Sequence, residues 1–187
     1  GIIRCVGNPL HRFEEDALRI LRAFRFSAQL NFQIEDSTYK AAYLRKENLD
    51  NISAERIRTE LNKLLISNHP EKFLDVYRVG ITRIVFPEFD LMMESPHLEI
   101  KKESVGTYAI KTIQTLDDKS FDDYNVGLSI KSKLIIRLSL LLHEVDVKNN
   151  SENSSEIARR ILKRLKFDNE TILKTASLID NIKKPFI

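Results

Sequence analysis

An all-α fold is predicted for this chain, and three observations predict it. Apolar residues recur with the helical period in several segments, most clearly from Phe13 to Ala28. Only five glycines and five prolines occur in 187 residues, which leaves little material for the tight turns of hairpins or a barrel. The most apolar stretch, Ser129 to Val145, carries Leu134, Ile135, Leu138, Leu141 and Leu142 at the spacing of a buried helix.

Taken in order, residues 1–11 read as extended or turn-like, because Asn8-Pro9 disfavours helix before it. Ile2-Ile3 would suit a strand of a preceding sheet, a hint that the chain begins mid-protein. One helix is expected over 12–30, ended by Asn31, with Phe32 and Ile34 as an apolar link. Asp36 or Ser37 caps a second helix running to Asn48. Asn51 or Ser53 caps a third over 54–67, with Ile57, Leu61, Leu64 and Leu65 on its core face. Pro70 starts a fourth that ends at Gly80 and turns Phe73, Leu74 and Tyr77 inward. Residues 81–86 form a short helix or turn, and 87–96 a loop joining two sub-domains, with Met92-Met93 filling gaps in the core. A fifth helix spans 103–116. Residues 117–127 read as a solvated acidic loop whose aspartates lack calcium-loop spacing. After the buried helix over 129–145 comes a polar loop at 148–155, then amphipathic helices over 156–165 and 170–181. Arg159, Arg160, Lys163, Arg164 and Lys166 make a basic cluster on the first of these, either a solvated face or a patch for a nucleic-acid backbone, with the solvated face favoured because Glu156 and nearby acids can offset it. The expected division is 1–88 and 89–187.

Composition narrows the class. Hydrophobic content of 42% and charged content of 30% suit a soluble helical protein of one or two small domains. A net charge of +3 permits a nucleic-acid partner without demanding one. The single cysteine, Cys5, excludes an intrachain disulfide and a cysteine zinc site, and fits a reducing cytosol. No apolar run is long enough to span a membrane.

The chemistry concentrates in RFEEDALRILRAFRF, residues 12–26. Read as one helix, Phe13, Ala17, Ile20, Leu21, Phe24 and Ala28 fill a sector roughly 100° wide that faces the core. Arg19 and Arg22 point the opposite way, and Asp16 and Arg25 flank the stripe. Glu15 can pair with Arg19 at i,i+4. Arg22 and Arg25 have no carboxylate at i±4, so their partners are distant acids, a ligand or water.

Asp16 and Arg19 form a pair with a specific meaning. A carboxylate only accepts hydrogen bonds and a guanidinium only donates them. Cytosine and adenine each present an amino donor beside an unprotonated ring nitrogen, which such a pair satisfies. Uracil and guanine present the reverse polarity and would leave the site's own groups unpaired. Arg22 and Arg25 would suit phosphates, which favour forked, permanently charged donors. On spacing alone the plainer reading is favoured, in which these arginines snorkel or pair with acids on a neighbouring helix.

The stretch GIIRCVGNPLHRFEEDALRILRAFRFSAQLNF shifts that balance. It resembles the C-terminal flank of the catalytic region in bacterial CCA-adding enzymes, the class II tRNA nucleotidyltransferases, and in their poly(A) polymerase relatives. EDALR is similar to the family's nucleotide-selecting motif, whose aspartate and arginine serve as a protein template for CTP and ATP. The resemblance implies those roles for Asp16 and Arg19, and nucleotide contact for Arg22 and Arg25. ISAERIRTELNKLL, residues 52–65, resembles the family segment that supports this helix. Within it the plainer reading pairs Arg56 with a nearby acid, and the sharper one, placed ahead of direct ligand contact, is that Arg56 braces the helix of Asp16, with Glu15 as a further support. The resemblance is dense over residues 1–67 and weaker beyond.

What the resemblance implies is a multi-helix neck (1–88) and the start of a helical body or tail (89–187) of a cytoplasmic enzyme that adds C, C and A to the tRNA 3′ end. The family holds its Mg2+ ions with carboxylates of an upstream head domain that carries a glycine-containing phosphate loop. No Gly-Gly, Gly-Ser or Asp-x-Asp occurs here, so the expectation is a neck-and-body fragment without catalytic residues or metal ligands, inactive alone. LLHEVD, residues 141–146, resembles a degenerate phosphohydrolase helix. Glu144 stands where that pattern needs Asp, and His11, His69 and His97 lack ligand spacing to His143. His143 is therefore read as structural. Within the class the rival is a poly(A) polymerase using ATP only. The rival outside it is a non-enzymatic helical RNA-binding or adaptor module.

Overall fold

The computed structural model describes residues 1–98, 100, 102–116, 127–147 and 153–182. The expected loop at 117–127, except Gly127, and most of that at 148–155 lie outside the described residues. Helices dominate, and the chain forms two compact units, Gly1–Asp90 and Leu91–Ile187. No helix among the described residues is long and apolar enough to cross a membrane.

The first unit begins with a short strand, β1 (Ile2–Ile3), parallel to β2 (Gln33–Ile34). The apolar pair that suggested a preceding sheet thus finds its partner in the link after the arginine-rich segment. That segment is two helices, α1 (Pro9–Glu15) and α2 (Leu18–Leu30), and not one. The helix begins at Pro9 because Asn8 accepts a hydrogen bond from Leu10 N at 2.9 Å and proline is tolerated at the first helical position. It breaks at Asp16, whose backbone is extended (φ −152°, ψ 101°). Asparagine 31 ends α2 in the left-handed conformation (φ 52°).

Next come α3 (Asp36–Arg45), a 3-10 turn at Lys46–Asn51, and α4 (Ala54–Leu65). Helix α1 packs on α3, and α2 on α4. Ile57, Leu61, Leu64 and Leu65 of α4 are buried, facing Ile20, Leu21, Phe24 and Ala28 of the α2 stripe in one core. A 3-10 turn at Pro70–Lys72 leads into α5 (Phe73–Arg78) and α6 (Thr82–Val85). Pro87–Glu94, expected as a loop, is helical (α7). Pro87 opens it, Glu88 and Asp90 favour its N-terminus, and Phe89 drives its first turn into an aromatic cluster. There Phe73 and Phe89 meet edge to face at 4.9 Å between ring centroids.

In the second unit, α8 (Val105–Thr115) is capped by Ser104 and packs on α9 (Ile130–Leu142), the apolar helix expected there. Helix α10 (Ser154–Arg164) starts at a capping box between Asn153 and Glu156. Helix α11 (Asn169–Ile182) packs on both α9 and α10. Asp168 accepts from the backbone N–H and hydroxyl of Thr171 at its start.

Candidate nucleotide-binding site

Five charged residues meet where α1 gives way to α2. Aspartate competes with the backbone for hydrogen bonds and favours caps over helix interiors. Asp16 does so here. Its Oδ1 accepts from Leu18 N at 3.1 Å, and its backbone carbonyl accepts from Arg19 N, so it starts the helix that the sequence places it inside. Arg56, in the first turn of α4, donates from Nη2 to Asp16 Oδ2 at 3.0 Å and to Oδ1 at 3.3 Å. Asp16 is thereby fixed between two helices, with its side chain about a quarter exposed at 27%.

Arg19 reaches back across the break. Its Nη1 donates to the Arg12 carbonyl at 2.8 Å and to Glu15 Oε2 at 2.6 Å. Arg12 donates to the same carboxylate oxygen at 2.6 Å. The hydrogen bond from Arg19, reinforced by the Arg12 charge, holds the Glu15 carboxyl below the ordinary glutamate range. Asp16 and Arg19 both keep hydrogen-bonding capacity to spare. Three contacts leave about one of the carboxylate's four acceptor sites unused, on Asp16 Oδ2. Arg19 uses only Nη1, so its Nε and Nη2 donors remain.

Arg22 and Arg25 part company. Arg22 is exposed and has no hydrogen-bond or ion-pair partner among the described residues. Arg25 is 8% exposed and lies against Glu60, itself 7% exposed, with Nε 2.7 Å from Oε2 as an ion pair without hydrogen-bond alignment. Its Nη1 donates to Gln29 Oε1 at 2.8 Å, and its guanidinium carbon sits 3.7 Å from the centre of the Phe26 ring.

Beside this junction opens a groove of about 280 Å³, lined among others by Arg4, Arg12, Arg19, Arg22, Cys5 and Phe26. The structure therefore brings Arg19 and Arg22 to one concave surface, while Asp16 and Arg25 are not among its lining residues. The single helix expected to carry all four groups is corrected to a helix–break–helix. Sequence reasoning missed Arg4, Arg12, Phe26 and Glu60. A signal for Glu60 was present: it follows Ile57 by three and precedes Leu64 by four, a carboxylate on the apolar stripe of α4 that calls for a buried cation.

In the second unit, His143 follows α9 directly, with its Nδ1 2.8 Å from the Leu140 carbonyl. Glu144 Oε2 lies 3.3 Å from His97 Nε2 and 3.9 Å from His143 Nε2. Among the described residues no group of three or more His, Cys, Asp or Glu side chains is placed to hold a metal ion. On α10, Arg160, Lys163 and Arg164 are exposed, as is Lys166 after it.

A family described as the probable RNA and SrmB-binding site of polymerase A matches residues 31–93. The CCA-adding enzyme of Leuconostoc mesenteroides is 36% identical over 131 residues, 66% of this chain and 31% of that enzyme. The CCA-adding enzyme of Staphylococcus epidermidis is 31% identical over 153 residues, covering 82% of this chain and 38% of the relative. That of Streptococcus pyogenes is 50% identical over 83 residues, 44% of this chain and 19% of the relative. The chain thus spans well under half the length of these relatives. Together with the all-α architecture, these matches show that the chain belongs to the bacterial CCA-adding enzyme and poly(A) polymerase family.

Proposed function

We propose that this chain is the neck and the start of the body of a template-independent tRNA nucleotidyltransferase, and that it supplies base selection and part of the tRNA-binding surface. The parent enzyme adds C, C and A to the tRNA 3′ end from CTP and ATP. One observation carries the reading: an aspartate and an arginine are rigidly held at a helix junction, each with unused hydrogen-bonding capacity, beside a groove lined by arginines.

In this reading Asp16 accepts from the exocyclic amino group of cytosine or adenine, and Arg19 donates to the adjacent ring nitrogen. Arg56 and Glu15 hold the two groups in place. Arg22 offers a guanidinium to phosphate, and Arg25 keeps α2 seated on α4. In this reading, which follows the family resemblance, the Mg2+ ions of transfer are held by carboxylates of a head domain of the cytoplasmic parent.

Equilibrium binding of the four nucleoside triphosphates to the chain tests the proposal. CTP and ATP should bind more tightly than UTP and GTP, and Asp16→Ala should erase the difference. Equal affinity for all four in the native chain would overturn it. The chain alone should add no nucleotide to tRNA, and incorporation of CMP or AMP would overturn that part. A preference for ATP with no binding of CTP would move the assignment to a poly(A) polymerase, whose relatives share the matched region.

A further inference from the structure

Two aromatic rings reach the arginine-lined groove. Phe13 is 1% exposed and belongs to the core, whereas Phe26 is 36% exposed although both its neighbours, Arg25 and Ser27, are buried. The Phe26 ring is backed by the Arg25 guanidinium, whose carbon lies 3.7 Å from the ring centre in a cation–π contact. Arg25 is in turn held by Glu60 and Gln29 in the interior of the first unit. The ring is therefore supported from behind by a buried, paired cation and presents the rest of its surface to the groove. One turn earlier on the same side of α2 stands Arg22, exposed and partnerless among the described residues. Side chains at i and i+4 on a helix have Cβ atoms about 5–6 Å apart, a separation a single nucleotide spans from base to phosphate.

We propose that Phe26 is a base-stacking platform, that Arg22 takes the phosphate of the same nucleotide unit, and that Glu60 and Arg25 are positioning residues acting through Phe26. The inference rests on the nucleotide-binding reading above and deepens it. It gives a ligand contact to a residue outside the Asp16–Arg19 pair. It also makes Arg25 a support for a ligand contact. Stacking tolerates any base, because every base has a π-face. Phe26 should thus add affinity without selectivity, the opposite signature to Asp16. The nucleotide unit can be a free triphosphate or the last residue of a single-stranded RNA, and the test separates them.

The chain contains no tryptophan, so Phe26→Trp places a sole indole on the platform. This variant is titrated with ATP and CTP in one arm and with a short single-stranded oligoribonucleotide in the other. Quenching of the indole is expected in at least one arm, and that arm identifies the source. In the same arm Phe26→Leu should weaken binding about tenfold for every base and leave the ratio of CTP to UTP affinity unchanged, while Phe26→Tyr retains native binding. Glu60→Gln, with its fold checked by circular dichroism, should reproduce the base-independent loss. Native affinity in Phe26→Leu, with discrimination still lost in Asp16→Ala, would overturn the platform and leave base selection standing. No binding of either probe by the native chain would overturn both.

Discussion

Asp16→Asn separates what Asp16 does for the fold from what it does for a ligand. Asparagine caps helices about as well as aspartate. Its carbonyl oxygen can keep the hydrogen bond that Oδ1 accepts from Leu18 N at 3.1 Å. With that oxygen committed, the amide nitrogen replaces Oδ2, the atom that faces Arg56 at 3.0 Å and carries the unused acceptor site. The lost contact to Arg56 is cheap, because that guanidinium is half exposed and regains water. The fold should therefore change by less than about 1 kcal/mol, the ordinary value of a partly exposed ion pair. A ligand meets a larger change. A donor now faces the amino group of cytosine or adenine, and each unmatched group costs about 1–3 kcal/mol. That corresponds to a loss of roughly 5- to 150-fold in preference for CTP over UTP. The assay is competitive binding of CTP and UTP alongside urea denaturation of the same samples. Unchanged preference with unchanged stability would refute the template argument. Lost preference accompanied by a large loss of stability would show that Asp16 acts only through the helix junction.

Three further outcomes follow from the same geometry. Glu60→Ala leaves the Arg25 guanidinium buried without its counter-charge and should destabilise the first unit by about 3–5 kcal/mol, whereas Glu60→Leu with Arg25→Met should restore most of the loss. Hydrogen exchange of α2 and α4 amides measures this, because a chain of two units need not unfold in one step. Arg19→Lys should lose selectivity for CTP and ATP in the binding assay, since one ammonium cannot serve Glu15, the Arg12 carbonyl and a base together. Thr171 hydrogen bonds hold the Asp168 carboxyl far below its ordinary value, so its contribution to stability is fully present above about pH 4 and lost as pH falls below that. Acid titration followed by exchange of α11 amides should show this loss, and Asp168→Asn should flatten it.

The helical class was legible because it rests on period and composition, which sequence carries directly. The core face of α4 was legible for the same reason: Ile57, Leu61, Leu64 and Leu65 repeat with the helix and are buried. The misjudged places are those where a polar residue has two roles. Asn8-Pro9 looked like a barrier to helix, yet the asparagine side chain and the missing proline N–H together make a start. Pro87 likewise opens α7 where a loop was expected. Asp16 sits inside an unbroken apolar period, so the period carries the helix straight through it. The break appears only once its carboxylate is seen accepting from Leu18 N while α4 delivers Arg56.

The break also governs which arginines can reach a ligand. An uninterrupted helix would have rotated each arginine about 60° from the one before, with Asp16 one turn below Arg19. With α1 stopped at Glu15, the Arg12 carbonyl and the Glu15 carboxylate both accept from Arg19, which fixes that side chain at the groove. Arg25, two turns further along α2, meets α4 at Glu60 and is drawn into the core. The four groups that share a regular spacing in sequence thus divide between surface and interior. Spacing along one helix cannot foresee this, because the division is imposed by a carboxylate 35 residues away on another helix. The buried pair and the groove are two sides of one helix: whatever loosens Arg25 from Glu60 also frees the support behind Phe26.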